Sequence, residues 1–261
     1  MTSRRKNMST AHPGNVTLSG KVALVTGGGA GAGRAISLAL GRSGATVMVN
    51  YRSRKKLAEK VAEEVRAFGG EARVVRADVS LPRGAGAAVD AVIRSFGRLD
   101  ILVNNVGDFL YRPILNVTPD EWRGIMRSNL DSAFHCSIRA IPHMKRRRWG
   151  RIVNIGVAGC DDVRAFPNTT AYNISKTGIL ILSKSLAKEV ASFGITVNVV
   201  APGMVDTGVL SRSALKEIEK KIPMKRAASP EEIARAITFL ASEDASYVTG
   251  SCITISGGWL L

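Results

Sequence analysis

The chain of 261 residues has little aromatic character, few cysteines and no long apolar run. Aromatic residues make up 5% of it. A nucleic-acid reader usually brings rings on which bases stack or a recognition motif, and neither is found here, so no nucleic-acid partner is expected. The cysteines, Cys136, Cys160 and Cys252, are odd in number, far apart along the chain and not in metal-ligand spacing. They read as reduced thiols in a cytoplasmic protein, with no bound metal. No apolar stretch reaches the roughly 18 residues of a membrane span. The N-terminus lacks the charged-then-apolar pattern of a secretory signal, so neither a membrane nor export is expected.

What is present in excess is positive charge. Lys and Arg number 37 against 21 Asp and Glu, a formal balance of +16. The densest cluster is Lys145-Arg146-Arg147-Arg148, with Arg151 close behind. Such charge serves an anionic cofactor, an acidic protein partner or an ordinary solvated face.

Residues 1–17 (MTSRRKNMSTAHPGNVT) are basic, polar and without period, which predicts a flexible tail and leaves Met8 as a second candidate start. From residue 18 to 261 the pattern is regular. Val22 to Val25 is a short apolar run ending in Thr-Gly, and Ala45 to Asn50, Arg73 to Ala77, Ile101 to Asn104, Arg151 to Ile155 and Ile195 to Val200 repeat it. Each reads as a buried strand bounded by Gly, Asp or Asn. Helical stretches lie between them, and Thr118-Pro-Asp-Glu121 and Ser229-Pro-Glu-Glu232 are capping boxes with Pro at the first helical position. Strands alternating with helices predict an α/β fold. The expectation is one doubly wound domain, its parallel sheet of about seven strands covered by helices on both faces.

The first predicted strand runs into Thr26-Gly27-Gly28-Gly29-Ala30-Gly31-Ala32-Gly33 and then a helix. Glycines there let backbone N–H groups approach a pyrophosphate at the helix N-terminus, so Gly27, Gly29, Gly31 and Gly33 are candidate dinucleotide contacts. NAD binders tend to end the second strand in an acid that holds the ribose hydroxyls. This chain has Asn50-Tyr51-Arg52-Ser53-Arg54 instead. Arg52 suits a 2′-phosphate that a carboxylate would repel, so NADP(H) is expected rather than NAD, with Asn50 beside it.

These features resemble the short-chain dehydrogenase/reductase family. The spacing of Gly27, Gly31 and Gly33 matches its glycine motif, Asp78-Val79 its adenine-contacting pair, and Asn104-Asn105-Val106-Gly107 its Asn-Asn-Ala-Gly element with Val for Ala. Asn129 matches its helix asparagine, Tyr172-Asn-Ile-Ser-Lys176 its Tyr-x-x-x-Lys, and Pro202-Gly203-Met204-Val205-Asp206-Thr207 its Pro-Gly segment with a Thr for the nicotinamide carboxamide. The likeness runs from about residue 19 to the C-terminal "YVTGSCITISGGW". It implies a Rossmann fold, a hydride-transferring oxidoreductase and commonly a homotetramer. Tyr172, Lys176 and Asn129 would be catalytic, and Asp78, Val79, Asn105, Gly107, Tyr172, Lys176, Pro202, Gly203, Val205 and Thr207 would contact the cofactor. A lid at about 204–225 would set specificity, leaving the substrate unread.

The residues explain part of that likeness. A free Tyr titrates near pH 10, and an ammonium one helical turn away favours its phenolate, so Lys176 is expected to lower Tyr172. In the family, Asn129 breaks the helix ladder and holds a water that links to the Lys. One part is absent. The family usually reads Asn-Ile-Ser-Ser-Val-Ala-Gly after this strand, the second Ser holding the substrate carbonyl. Here the residues are Asn154-Ile155-Gly156-Val157-Ala158-Gly159. Counting forward puts Gly156 or Val157 at the Ser, and counting back from Tyr172 puts Gly159 there. The loop is also longer, through Cys160-Asp161-Asp162, and a substitute donor is expected between residues 160 and 170. Thr169, Thr170, a protonated Asp161 and a backbone N–H are the candidates there, and Tyr172 serving both tasks is the alternative outside it. The reading is an NADP(H)-dependent reductase of a ketone to a secondary alcohol. A 3-oxoacyl thioester follows from resemblance to 3-oxoacyl-acyl-carrier-protein reductases, with Lys145 to Arg151 docking an acidic carrier; a steroid, sugar or secondary-metabolite alcohol stands beside it. The alternative is a weak or inactive nucleotide-binding relative acting as sensor or partner protein.

Overall fold

The computed structural model describes residues 16–260. Most of the expected tail and the candidate start at Met8 lie outside these residues; Leu18, just after the tail, is already buried.

Seven strands form one parallel sheet: β1 (Val22–Val25), β2 (Thr46–Tyr51), β3 (Ala72–Arg76), β4 (Ile101–Asn104), β5 (Gly150–Ile155), β6 (Ile195–Pro202) and β7 (Cys252–Ile255), in the spatial order β3-β2-β1-β4-β5-β6-β7. The expected doubly wound sheet is present. The first six strands match the sequence expectation to within one or two residues. The seventh is short and half-buried throughout, which is why its pattern is faint.

Helices α1 (Gly31–Arg42), α2 (Lys55–Ala67) and α8 (Pro230–Leu240) cover one face of the sheet. There Ile36, Leu40, Val61 and Ile233 pack on Val25, Val47 and Val103. Helices α3 (Pro82–Phe96), α5 (Ser132–Arg147) and α6 (Thr170–Val190) cover the other, where Val89, Met144 and Val190 pack on Leu24, Leu102 and Ile152. Alternating residues of each strand serve opposite faces, so the strands read as continuous apolar runs. Two short helices, α4 (Pro119–Met126) and α7 (Arg212–Glu219), stand outside these layers.

Both capping boxes form. Thr118 Oγ1 accepts from the Glu121 N–H while the Glu121 carboxylate accepts from the Thr118 N–H, and Ser229 and Glu232 repeat the exchange. Strand β1 lies between β2 and β4, so the chain winds away from it in both directions. Where winding reverses, the loops after β1 and β4 diverge and leave a crevice at the carboxyl ends of the strands. Among the described residues no helix is long and apolar enough to cross a membrane.

Candidate functional site

The crevice is a cavity of about 330 Å³ lined by the glycine turn after β1, the ends of β2 and β3 and the loop after β4. Of the residues singled out from sequence, Gly27, Gly29, Asn50, Arg52, Asp78, Val79, Asn105 and Gly107 line it. Helix α1 begins at Gly31 with no side-chain cap and no acid in its first turn, so its leading N–H groups are left for an anion. A Cβ at Gly33 would collide with the Gly27 carbonyl, so only glycine lets the turn close onto the helix. Gly31 and its neighbour Thr207 lie outside that lining, a Cβ at Gly31 standing 3.6 Å from the Thr207 methyl.

Asn50 does something the sequence did not disclose. Its buried side chain accepts from the Gly27 N–H at 3.3 Å and donates to the Ala77 carbonyl at 3.1 Å, tying the glycine turn to the end of β3. Thr26 acts similarly toward β4, its hydroxyl oxygen accepting from the N–H groups of Asn105 and Val106. Asn105 in turn donates to the Thr26 carbonyl.

The expected anion-recognising residue, Arg52, lines the cavity with a largely exposed guanidinium 3.9 Å from Asp78; Ser53 and Arg54 line it too. Burial works against the Asp78 carboxylate. The Ser80 hydroxyl and N–H and the cations of Arg52 and Arg127 overcome this and hold Asp78 below its ordinary range.

Asn129 lies in a π-helical turn (Arg127–Asp131) joining α4 to α5, which is how the ladder is interrupted. Its side chain is fully buried; Nδ2 donates to the carbonyls of Asp108 and Ile125, and Oδ1 has no partner. Any Cβ at Gly107 would run into that oxygen and would lie 3.4 Å from Lys176 Nζ. Gly107, Asn129 and Lys176 therefore meet at one point.

Tyr172 and Lys176 share a face of α6, with Nζ 5.5 Å from the ring centroid. Lys176 is 3% exposed and donates to the Ile155 carbonyl at 2.8 Å. The expectation that Lys176 lowers Tyr172 is not met. Burial, followed by the negative charge of the Cys160 thiolate, pushes the Tyr172 phenol up to about 12, and burial pushes Lys176 down to about 8. Over the range in which the phenol titrates the Lys176 amine has already lost its proton, so it offers no positive charge against the desolvation. Sequence reading also missed Phe109, whose exposed ring stands edge-on to Tyr172 at 5.1 Å. Only its position just past Gly107 hinted at this.

No hydroxyl stands at Gly156, Val157 or Gly159. Of the substitutes, Thr170 Oγ1 already donates to the Phe166 carbonyl at 2.7 Å, and Asp161 is exposed rather than in a dry pocket. Thr169 Oγ1 accepts from Asn173 Nδ2 at 2.8 Å and keeps its own proton. At the end of β6, the Pro202 carbonyl accepts from the Ala158 N–H, Gly203 packs on Ser256, and Val205 bridges to Ala228. The 204–225 segment that follows contains α7.

Cys160 and Cys252, far apart along the chain, are free thiols whose Sγ atoms are 4.0 Å apart. One further expectation needs correction: the basic cluster is not a uniform exposed face. Arg151 is buried, stacked on Trp149 and paired with Glu243, and Arg148 donates to the Ser192 carbonyl. The cluster lies at the N-terminal end of β5, at the opposite end of the sheet from the crevice.

The family model described as "Enoyl-(Acyl carrier protein) reductase" matches residues 27–260. The chain is 38% identical over 245 residues to the 3-oxoacyl-acyl-carrier-protein reductase FabG of Staphylococcus aureus, covering 91% of this chain and 97% of that one. It is 39% identical over 248 residues to the enzyme of the same name from Pseudomonas aeruginosa, covering 93% and 98%. Among solved structures, a short-chain dehydrogenase/reductase from Serratia marcescens superposes with a TM-score of 0.88 at 33% identity, over 94% of this chain and 99% of that one.

Proposed function

The chain belongs to the short-chain dehydrogenase/reductase family and is an oxidoreductase of that type, and from that premise we propose that it reduces a ketone to a secondary alcohol with NADP(H). A 3-oxoacyl thioester is the substrate class carried by the names of its relatives. The observation that supports this reading best is the meeting of Gly107, Asn129 and Lys176 beside Tyr172, at the end of a cavity shaped for a dinucleotide.

In this reading the open N-terminus of α1 would hold the phosphates, Arg52 with Arg54 would receive the 2′-phosphate, and Asp78 and Val79 would border the adenine. Lys176 would hold the ribose hydroxyls, and Thr207, beside Gly31, would serve the carboxamide. When bound, the nicotinamide supplies the hydride. Tyr172 stays protonated at neutral pH and gives its phenolic proton to the carbonyl oxygen. The orphaned Asn129 Oδ1 accepts from a water that returns the proton through Lys176. Thr169 takes the missing serine's place as hydroxyl donor, since its own proton is not committed to another residue. A carrier seated on Lys145 to Arg148 would lie at the far end of its own sheet, so docking there would serve the crevice of a neighbouring copy in an oligomer such as a homotetramer.

The absent serine favours a second reading, a nucleotide binder with little turnover. Following NADPH oxidation against 3-oxoacyl thioesters and simple ketones, with Tyr172→Phe in parallel, separates the two. The substitution is expected to cost about 10²–10⁴ in turnover with NADPH affinity retained. Tight NADPH binding without turnover of any substrate would favour the second reading.

A further inference from the structure

The proposed reaction uses neither Cys160 nor Cys252, yet the fold holds their sulfurs 4.0 Å apart although 92 positions separate them. Cys160 ends the turn that follows β5. That turn is fixed by the Cys160 N–H donating to the Val157 carbonyl and by the Thr177 hydroxyl donating to the Cys160 carbonyl. Cys252 opens β7, in register with Val199 of β6. The Cys160 sulfur lies 3.3 Å from where a Cβ on Gly156 would stand, near enough to Tyr172 and Lys176 to act on both electrostatically. Cys160 is buried, whereas Cys252 is partly exposed, so a small solute reaches the pair from the β7 side.

We propose that Cys160 and Cys252 are a redox modification site, a dithiol that hydrogen peroxide converts to a disulfide linking the turn after β5 to β7. The Cys160 thiolate attacks one peroxide oxygen, the O–O bond breaks, and hydroxide leaves with the proton that Cys160 gave up, as water. The Cys252 sulfur then attacks the resulting sulfenic sulfur, forming the S–S bond and releasing a second water. Overall, two thiols and one peroxide give one disulfide and two waters: each sulfur is oxidised by one electron and each peroxide oxygen is reduced by one.

Either sulfur can donate across the 4.0 Å contact, but the N–H groups of Val157 and Cys160 also face the Cys160 sulfur; with the Cys252 contact they favour its thiolate against burial and the Asp161 charge, so Cys160 is lowered and is the attacking sulfur. Cys252 is pushed up in consequence. Cys136, buried without a partner, is pushed up to about 12 and serves as the inert internal control.

Closing the bond draws the sulfurs from 4.0 Å to about 2.05 Å, so the turn or β7 must move. The turn begins directly after Ile155, whose carbonyl receives Lys176, and it carries the carbonyl on which Thr177 rests. Oxidation therefore disturbs two supports of α6 at the proposed site. This last consequence rests on the proposed reaction; the disulfide does not.

The test treats the full chain with graded hydrogen peroxide, blocks remaining thiols with iodoacetamide in denaturant and maps peptides without reduction. The expected result is a peptide pair joined through Cys160 and Cys252. Free thiols should fall from three to one, with Cys136 alkylated and dithiothreitol restoring all three. Cys252→Ser should leave a sulfenic acid at Cys160 that dimedone traps. Retention of all three thiols, overoxidation of separate cysteines without a cross-link, or a cross-link only between chains would overturn the proposal. If NADPH oxidation is present, it should fall about 10²-fold on oxidation and return on reduction. A cross-linked enzyme of unchanged rate would refute the coupling to Lys176 alone, and lack of turnover before oxidation would count against the proposed reaction and not against the dithiol.

Discussion

Lys176 carries its proton reluctantly, and the consequence is measurable. Buried against Ile155, it titrates near 8 instead of 10.5, while Tyr172 is held near 12 instead of 10.0. As pH rises through about 8 the site loses the positive charge that, in the proposed reaction, would hold a ribose and relay protons. The alkaline limb of kcat/KM for reduction is therefore expected near pH 8, not near the phenol's own value. The same shift acts on stability. The unfolded lysine keeps its proton up to 10.5, so the cost of burying a charged Lys176 is complete below pH 8 and fades between 8 and 10.5. Tyr172 acts oppositely, and only above pH 10. Urea midpoints of Lys176→Met and the native protein, compared from pH 7 to 10, isolate the lysine: the native-minus-variant difference should rise between 8 and 10. Thr169→Val should lower kcat by about 10²–10³ if its hydroxyl holds the carbonyl, with Thr169→Ser recovering it. An unchanged rate in Thr169→Val would place the donor elsewhere.

Element by element, the helix starts are where local sequence speaks most directly. Ser229 caps α8, and Ser229→Ala is expected to lower unfolding stability by about 1 kcal/mol without altering the crevice. A chemical denaturation midpoint, with NADPH affinity as control, checks this. Capping boxes and buried parallel strands are legible because they depend on residues within a few positions of one another. So are the glycine turn and the Tyr172–Lys176 pair, whose spacing is one helical turn. What the chain concealed is relational. Nothing local brings Cys160 to Cys252, seats Phe109 on Tyr172 or pairs Arg151 with Glu243. Likewise the sign of the Tyr172 shift depends on how much water the whole fold removes, and a Lys four residues away cannot reveal that. Asn50 reads as a cofactor contact and lines the crevice, but that its amide also ties two neighbouring connections together was hidden, because a strand-end side chain reaches whichever carbonyls the adjacent strand presents.

For the molecule as a whole, a formal charge of +16 surrounds a crevice that offers Arg52 and Arg54 to an anion. Affinity for NADPH should therefore fall more steeply with added salt than affinity for NADH, which lacks the third phosphate. Titrations between low and physiological ionic strength measure the two slopes, and parallel slopes would remove Arg52 from that role. The sheet order carries a further consequence, for the history of the chain. Strands β1 to β3 pair with near neighbours in sequence, whereas β4 must return to β1, with Leu24 meeting Leu102, and Tyr172 arrives only after β5 has docked on β4. Contacts that join distant stretches form late and slowly. On the ribosome the residues of the proposed nucleotide cradle therefore emerge before the proposed acid, Tyr172, so the site is completed from the C-terminal side of the chain.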